Sequence, residues 1–153
     1  MVRFKNRYLL CAIDSENSSE ADIYGLQSKD IMAAVRSSLA INFGELAVGQ
    51  LMSSLAMKLW SPALGIFLIR SCRDHFRLAW GAITFVTEIK CAPQLGQVRM
   101  TVLHVGGTIR ACQKSAEEHG RKLIFQERNN GHMKTKLESA VKSTKWEMDL
   151  MEI

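Results

Sequence analysis

The sequence lacks the residue patterns on which most enzyme classes depend. It has no P-loop, no dinucleotide-binding glycine pattern, no nucleophile-elbow serine and no His-Glu-x-x-His pair. Its four histidines have no metal-ligand spacing, and its carboxylates lie mostly in residues 14–25 and on predicted helix surfaces. These absences argue against an independent enzyme. They argue especially against a metal-dependent nuclease, because that chemistry needs clustered carboxylates.

Paired cysteines and long apolar runs are also missing. The four cysteines are far apart and form no Cys-x-x-Cys pair, so neither a zinc site nor a disulfide scaffold is expected and a reducing compartment is indicated. The clearest apolar run, Leu64–Ile69, has only the length of a strand, so we expect no membrane span. A shorter run, Tyr8–Ile13, ends at Asp14 and is too short for a secretory signal.

What the sequence does have is positive charge in particular places. The formal net charge is +5 and the pI is about 9.2, which makes an acidic partner such as nucleic acid worth considering. Residues 1–13 carry bases and no acid, whereas residues 14–25 carry acids and no base. This uneven distribution favours a basic patch on a folded body over a basic tail. Many soluble proteins are equally basic, so charge alone does not decide the function.

Hydrophobic periodicity predicts the order β-α-β-β-α-β followed by a third helix. Strands are expected over 3–13, within 46–60, over 64–70 and over 98–105, and helices over 28–43, 74–88 and 108–128. In the second helix, Phe76, Trp80, Ile83 and Val86 are expected to share the inner face, with Asp74 as the cap. The segment from 129 to 153 is polar, and we expect a weakly helical or disordered tail after a single domain of residues 1–128.

This order is that of a ferredoxin-like α-β sandwich of the α+β class, which RNA-recognition modules share. It predicts a four-stranded antiparallel sheet with two helices on one face, the other face being left for the third helix, RNA or a partner. RNA-recognition modules stack bases on sheet aromatics. Phe67 is the only aromatic residue in the third strand, so stacking is disfavoured and binding through charge and backbone amides remains open.

Two glycines, Gly106 and Gly107, join the fourth strand to the third helix, with Thr108 as the expected cap. Glycine there allows unusual backbone angles and close approach of a ligand, and a helix N-terminus favours anions. Basic residues cluster at neighbouring strand and helix ends. The candidate RNA-binding residues are Arg3, Lys5, Arg7, Arg70, Arg73, Gly106, Gly107, Thr108, Arg110 and Lys114. The alternative is a plain strand-to-helix turn surrounded by solvated charges.

Three stretches resemble a known family: Met1–Cys11, the strand Gly65–Arg73 continuing into Phe76, Leu78 and Trp80, and Leu103–Lys114. They resemble the small protein subunit of eukaryotic ribonuclease P and RNase MRP, the Pop-five family, which archaea share. The resemblance covers residues 1 to about 125 in the same order. By position, the basic first strand of the family corresponds to Arg3, Lys5 and Arg7. Its glycine motif corresponds to Gly106, Gly107, Thr108 and Arg110.

The resemblance implies a non-catalytic subunit that binds and stabilises a catalytic RNA. In this family the RNA carries the chemistry with Mg²⁺, and the protein is expected to bind no cofactor. The particles remove the 5′ leader of precursor tRNA and process precursor ribosomal RNA, so ribonuclease P RNA, RNase MRP RNA and precursor tRNA are implied partners. A barrel-shaped protein subunit is another, and nuclear and nucleolar localisation is expected. Service in one particle or both stays open, as does a scaffold role with little RNA contact.

Overall fold

Within residues 5–15, 23–126 and 131–152, which the computed structural model describes, the chain forms four strands and four α-helices. Two short 3₁₀ turns, Pro62–Leu64 and Pro93–Leu95, lie in the connections. The elements in chain order are β1 (Asn6–Ser15), α1 (Ser28–Met52), β2 (Ala56–Ser61), β3 (Ile66–Cys72), α2 (Phe76–Thr84), β4 (Val98–Gly106), α3 (Ile109–Gln126) and α4 (Gly131–Glu152).

The sheet has the order β2-β3-β1-β4, and every neighbouring pair is antiparallel. This topology confirms the ferredoxin-like α+β architecture. The strand β1 lies inside the sheet, where Leu9 and Leu10 point to opposite faces and both are fully buried. Its near-continuous apolar run therefore reflects burial on two sides.

A separate apolar core fills each face of the sheet. On the first face, Phe67 and Ile69 of β3 pack with residues of α1 and α2. On the second face, Ile66 and Leu68 of the same strand pack with residues of α3 and α4. The second face, which the sequence left for a third helix, RNA or a partner, is thus covered by two helices of the chain itself.

The helix α4 corrects the expectation of a weak or disordered tail for residues 131–152. Leu137 and Met148 are buried against the second face, and the Thr144 hydroxyl donates a hydrogen bond to Ser61 Oγ at 3.0 Å. Gly120 of α3 lies directly against the side chain of Val141. The segment is polar in composition because most of its residues face solvent, whereas a few well-spaced apolar residues make the contact.

The strand predicted within 46–60 is wrong over its first part, because α1 continues to Met52 beyond a kink at Gly44. Gly44 has φ 77°, a left-handed conformation that interrupts the helix without ending it. After the kink, Ala47 and Leu51 are spaced one helical turn apart and both are buried. The helix α1 is long and apolar enough to cross a membrane by length and composition alone. The core helix of a globular domain meets the same criterion.

The helix α2 is shorter than predicted, and one residue of its predicted inner face is exposed. It begins after His75 rather than Asp74 and ends at Thr84, four residues short of the predicted end. Ile83 and the following Val86 are buried as predicted and Ala79 and Ala82 also face the core, whereas Trp80 is exposed over 43% of its surface. The physical reason is close helix packing, since Gly81 lies against the ring of a phenylalanine on α1 and the small residues turn inward.

Candidate nucleic-acid interface

The register of β1 brings the predicted site residues to one end of the sheet, where β1 begins and its two neighbours end. Arg7 lies opposite Ser71 near the end of β3, and Tyr8 lies opposite Gly106 at the end of β4. The backbone N–H of Arg73 donates a hydrogen bond to the Lys5 carbonyl at 2.9 Å. Strand β1 therefore begins where β3 and β4 end, and α3 begins at the same place.

We call this end of the sheet, with its cations, the basic edge. It comprises Lys5, Arg7, Arg70, Arg73, Arg110 and Lys114 together with the Gly106–Thr108 turn. Arg3, the remaining predicted residue, lies outside the described residues. Of the cations, Arg7 and Arg70 are half-buried and the others are exposed. All the predicted site residues that the structure describes are thus brought to one region of the molecule.

The turn from β4 into α3 is held by local contacts. The Thr108 hydroxyl accepts a hydrogen bond from the backbone N–H of Ala111 at 3.3 Å, which confirms Thr108 as the helix cap. The expectation of unusual backbone angles at the glycines is wrong, because the positive-φ glycines among the described residues are elsewhere in the chain. Gly106 is required for space instead. A Cβ there would lie 3.1 Å from Cys112 Sγ and 3.1 Å from the Thr108 carbonyl oxygen.

Gly107 has a different environment, since its neighbour is a cation. A Cβ on Gly107 would lie 3.4 Å from Arg7 Nη1, and the same nitrogen donates to the Asn6 carbonyl at 3.2 Å. The guanidinium of Arg7 thus lies over bare backbone at the start of α3. This arrangement joins the first basic strand to the glycine turn, two features that are a hundred residues apart in sequence.

A shallow open groove of about 560 Å³ runs beside the first turns of α3. Lys114 and Ser115 line it together with His104 of β4. A bulge in β4 opposite Leu10 and Cys11 places His104 on this face. His104 is not among the predicted site residues, because a histidine in a strand is more often satisfied by local hydrogen bonds. The register shift that directs its side chain depends on pairing with β1.

Five cations of the basic edge carry positive charge that no ion pair among the described residues compensates. Ion pairs are formed instead by Arg99, Arg121, Lys122 and Lys145, which lie elsewhere. Within the same part of the chain, Lys5, Arg7, Arg70, Arg73 and Lys114 form none. Clustered cations without carboxylate partners attract a polyanion, and exposed ones are most affected by salt.

A second exposed surface lies on the opposite face of the sheet. A groove of about 510 Å³ between α1 and the segment after α2 is lined by Ile41, Phe85 and Val86, among others. Ile41 is 76% exposed and Phe85 is 57% exposed. Exposed apolar side chains beside a concave surface are typical of a protein-docking site. The sequence feature that could have pointed to this groove is Ile41, an apolar residue that lies outside the predicted buried stripe of α1.

The two buried thiols, Cys11 of the first core and Cys112 of the second, are protonated at neutral pH. Burial raises the pKa of Cys112 to about 11, against a smaller lowering by its hydrogen bond with the Gly106 backbone. Burial likewise raises the pKa of Cys11 well above its ordinary value. Both cysteines act here as small apolar residues of the core. Among the described residues, no group of three or more histidines, cysteines or carboxylates is arranged to hold a metal ion.

A sequence profile of the Rpp14/Pop5 family matches residues 7–117, which extend from β1 into α3. The chain belongs to this family. The match confirms the resemblance described above and includes Arg7 and the whole of the glycine turn. It ends before α4, so the profile does not cover the helix that closes the second face.

Curated proteins with the name "Ribonuclease P/MRP protein subunit POP5" are similar to the Rpp14/Pop5 chain described here over most of its length. The Schizosaccharomyces pombe protein is 33% identical over 131 residues, covering 81% of this chain and 91% of that protein. The Homo sapiens protein is 31% identical over 125 residues, covering 82% and 76%. The Danio rerio protein is 31% identical over 126 residues, covering 81% and 73%. The role of each residue of the basic edge stays a prediction.

The two glycines of the turn provide a matched test of the geometry. We expect Gly106→Ala to destabilise the protein by about 1–2 kcal/mol, because the new Cβ meets backbone and a buried sulfur. Gly107→Ala should change stability by less than about 1 kcal/mol, since its conformation suits alanine and its one close neighbour is a long side chain. Urea unfolding measures both. Equal effects of the two substitutions would contradict the packing described here.

Proposed function

We propose that the protein is a non-catalytic subunit of ribonuclease P and of RNase MRP, and that its basic edge binds the RNA of these particles. The observation that carries the proposal is the convergence, where β1 begins, of five cations that form no ion pair among the described residues: Lys5, Arg7, Arg70, Arg73 and Lys114. The names of the relatives support the same assignment, since they are ribonuclease P/MRP subunits.

The physical role of the edge is to neutralise backbone phosphates on a rigid surface. Phosphate contacts position a protein on RNA without reading sequence, and they release counterions, which makes the affinity depend on salt. The Gly106–Thr108 turn presents backbone N–H groups at the N-terminus of α3, which favours a phosphate. In this proposal the RNA performs the cleavage with Mg²⁺ and the protein binds no cofactor. Precursor tRNA and precursor ribosomal RNA are the substrates of the particles, in the nucleus and nucleolus.

Neutralising four cations of the edge tests the proposal. We expect the combined variant Lys5→Gln, Arg7→Gln, Arg73→Gln and Lys114→Gln to bind ribonuclease P RNA at least about tenfold more weakly. The slope of log affinity against log salt should fall by about 3, since each lost phosphate contact removes about 0.7–0.9. The dissociation constant is measured with purified protein over a series of salt concentrations.

A control variant has the same net charge as the quadruple variant but keeps the cations of the basic edge. Lys29, Arg36, Lys134 and Lys142 are exposed bases outside the edge, and changing all four to glutamine should leave the affinity within about threefold. Equal losses in the two variants would show that only net charge matters. Cleavage of precursor tRNA by the homogeneous protein alone would refute the non-catalytic role.

The apolar groove supports a second role within the same particles, that of a scaffold for another protein subunit. The ring of Phe85 lies in a tilted arrangement against that of Phe43, with ring centroids 6.2 Å apart, at the border of the groove. An exposed aromatic ring beside a cavity is a typical anchor for a protein partner. We propose the barrel-shaped subunit implied by the family resemblance as the partner at this groove.

Charge placed in the groove tests the scaffold role. We expect the double variant Ile41→Glu and Phe85→Glu to lose the partner subunit from the purified particle, while its affinity for RNA alone changes by less than about twofold. Quantitative mass spectrometry of the affinity-purified particle measures the loss. Leu150→Glu on α4 is the control, because Leu150 is 50% exposed and lies outside the groove. Loss of the subunit with Leu150→Glu alone would place the interface on α4 and overturn the groove as its site.

A further inference from the structure

Arg70 differs from the other cations of the basic edge in how its side chain is held. It lies near the end of β3, between Tyr8 of β1 and Ala56 of β2, which are its partners across the sheet. Its Nε atom is excluded from solvent and has no hydrogen-bond partner. Within residues 5–15, 23–126 and 131–152, it is the one buried side-chain nitrogen or oxygen in this condition.

A buried donor without an acceptor costs free energy, and native proteins keep few of them. At Arg70 that cost comes with a fixed orientation, because packing around Nε restricts the side chain. Arg70 as a whole is only half-buried, and its two terminal nitrogens are not among the buried atoms that lack a partner. No ion pair or hydrogen bond within the described part of the chain occupies them. The structure thus presents a planar fork of donors that is already ordered before any ligand arrives.

The exposed cations of the edge have no such restraint. Lys5, Arg73 and Lys114 are exposed, and each must lose side-chain freedom when it contacts a phosphate. A lysine also offers a point charge, whereas a guanidinium matches two phosphate oxygens at once. Charge and orientation are therefore supplied by different residues.

We propose that Arg70 is the residue that orients the RNA on the basic edge: its two terminal nitrogens donate to the two non-bridging oxygens of one phosphodiester, and the exposed cations around it supply attraction. Arg70 alternates with Leu68 on β3 and so lies on the face of the sheet that α3 covers. The inference rests on the RNA-binding role proposed above and adds to it a single fixed phosphate contact.

Replacing arginine by lysine separates geometry from charge. We expect Arg70→Lys to weaken binding of ribonuclease P RNA about tenfold at fixed salt, with an unchanged salt slope because the charge is kept. Arg36→Lys, at an exposed position outside the edge, should change the affinity by less than about twofold. Dissociation constants over a salt series give both quantities, and thermal unfolding confirms that each variant folds.

A second variant places a carboxylate of the protein itself beside the Arg70 guanidinium, where it competes with the RNA phosphate. Ala56 lies directly across from Arg70 and is half-buried on β2, so Ala56→Glu places a carboxylate beside the fork. We expect it to weaken RNA binding at least as much as Arg70→Lys. Lys58→Gln is its control, because Lys58 is exposed on the same strand and the change in net charge is equal.

The outcomes separate this inference from the proposal beneath it. Wild-type affinity in Arg70→Lys would overturn the orienting role and leave RNA binding at the edge intact. If Arg70→Lys does not fold, Ala56→Glu decides: an effect no larger than that of Lys58→Gln overturns the role. A wild-type protein that binds the RNA without salt dependence would instead overturn the binding proposal itself.

Discussion

The pairing of β1 with β3 and β4 is the constraint on which the rest of the structure depends. It buries β1 on both faces, which commits Leu9 to one core and Leu10 to the other. The same register sets the start of β1 beside the ends of its neighbours, so that Arg7 meets Gly107. A slip by one residue would exchange the two faces, which both cores resist. The strand register that forms the two cores therefore also assembles the basic edge.

Coverage of both sheet faces determines where a nucleic acid can bind. RNA-recognition modules use the open face of the same topology to stack bases. Here α3 and α4 cover that face, and Thr144 of α4 is tied to Ser61 at the end of β2. Two other surfaces of the described part of the chain have binding features: the edge, where cations and a helix N-terminus converge, and the apolar groove beside α1. The proposed division between RNA at the edge and protein at the groove follows from this arrangement.

The sequence was sufficient to predict an element wherever the local pattern and the tertiary packing favour the same structure. The apolar run Tyr8–Ile13 and the glycine turn each predicted their elements, because burial on two faces and a strand-to-helix junction leave clear signals. Around Leu51 the mixed apolar pattern favours a strand, whereas packing against the first core selects a helix. Met148 was hidden in a polar segment, since few residues of α4 are buried. The position of His104 depends on a bulge that only the partner strand defines.

The central claim is that RNA contacts the edge where β1 begins. Ultraviolet cross-linking of the assembled particle, followed by mass spectrometry of the peptides attached to RNA, tests it without any substitution. The account predicts cross-links in peptides containing Lys5–Tyr8, Arg70–Arg73 and Gly106–Lys114. Cross-links confined to the groove beside α1, or to the opposite end of the sheet near Arg99, would contradict it.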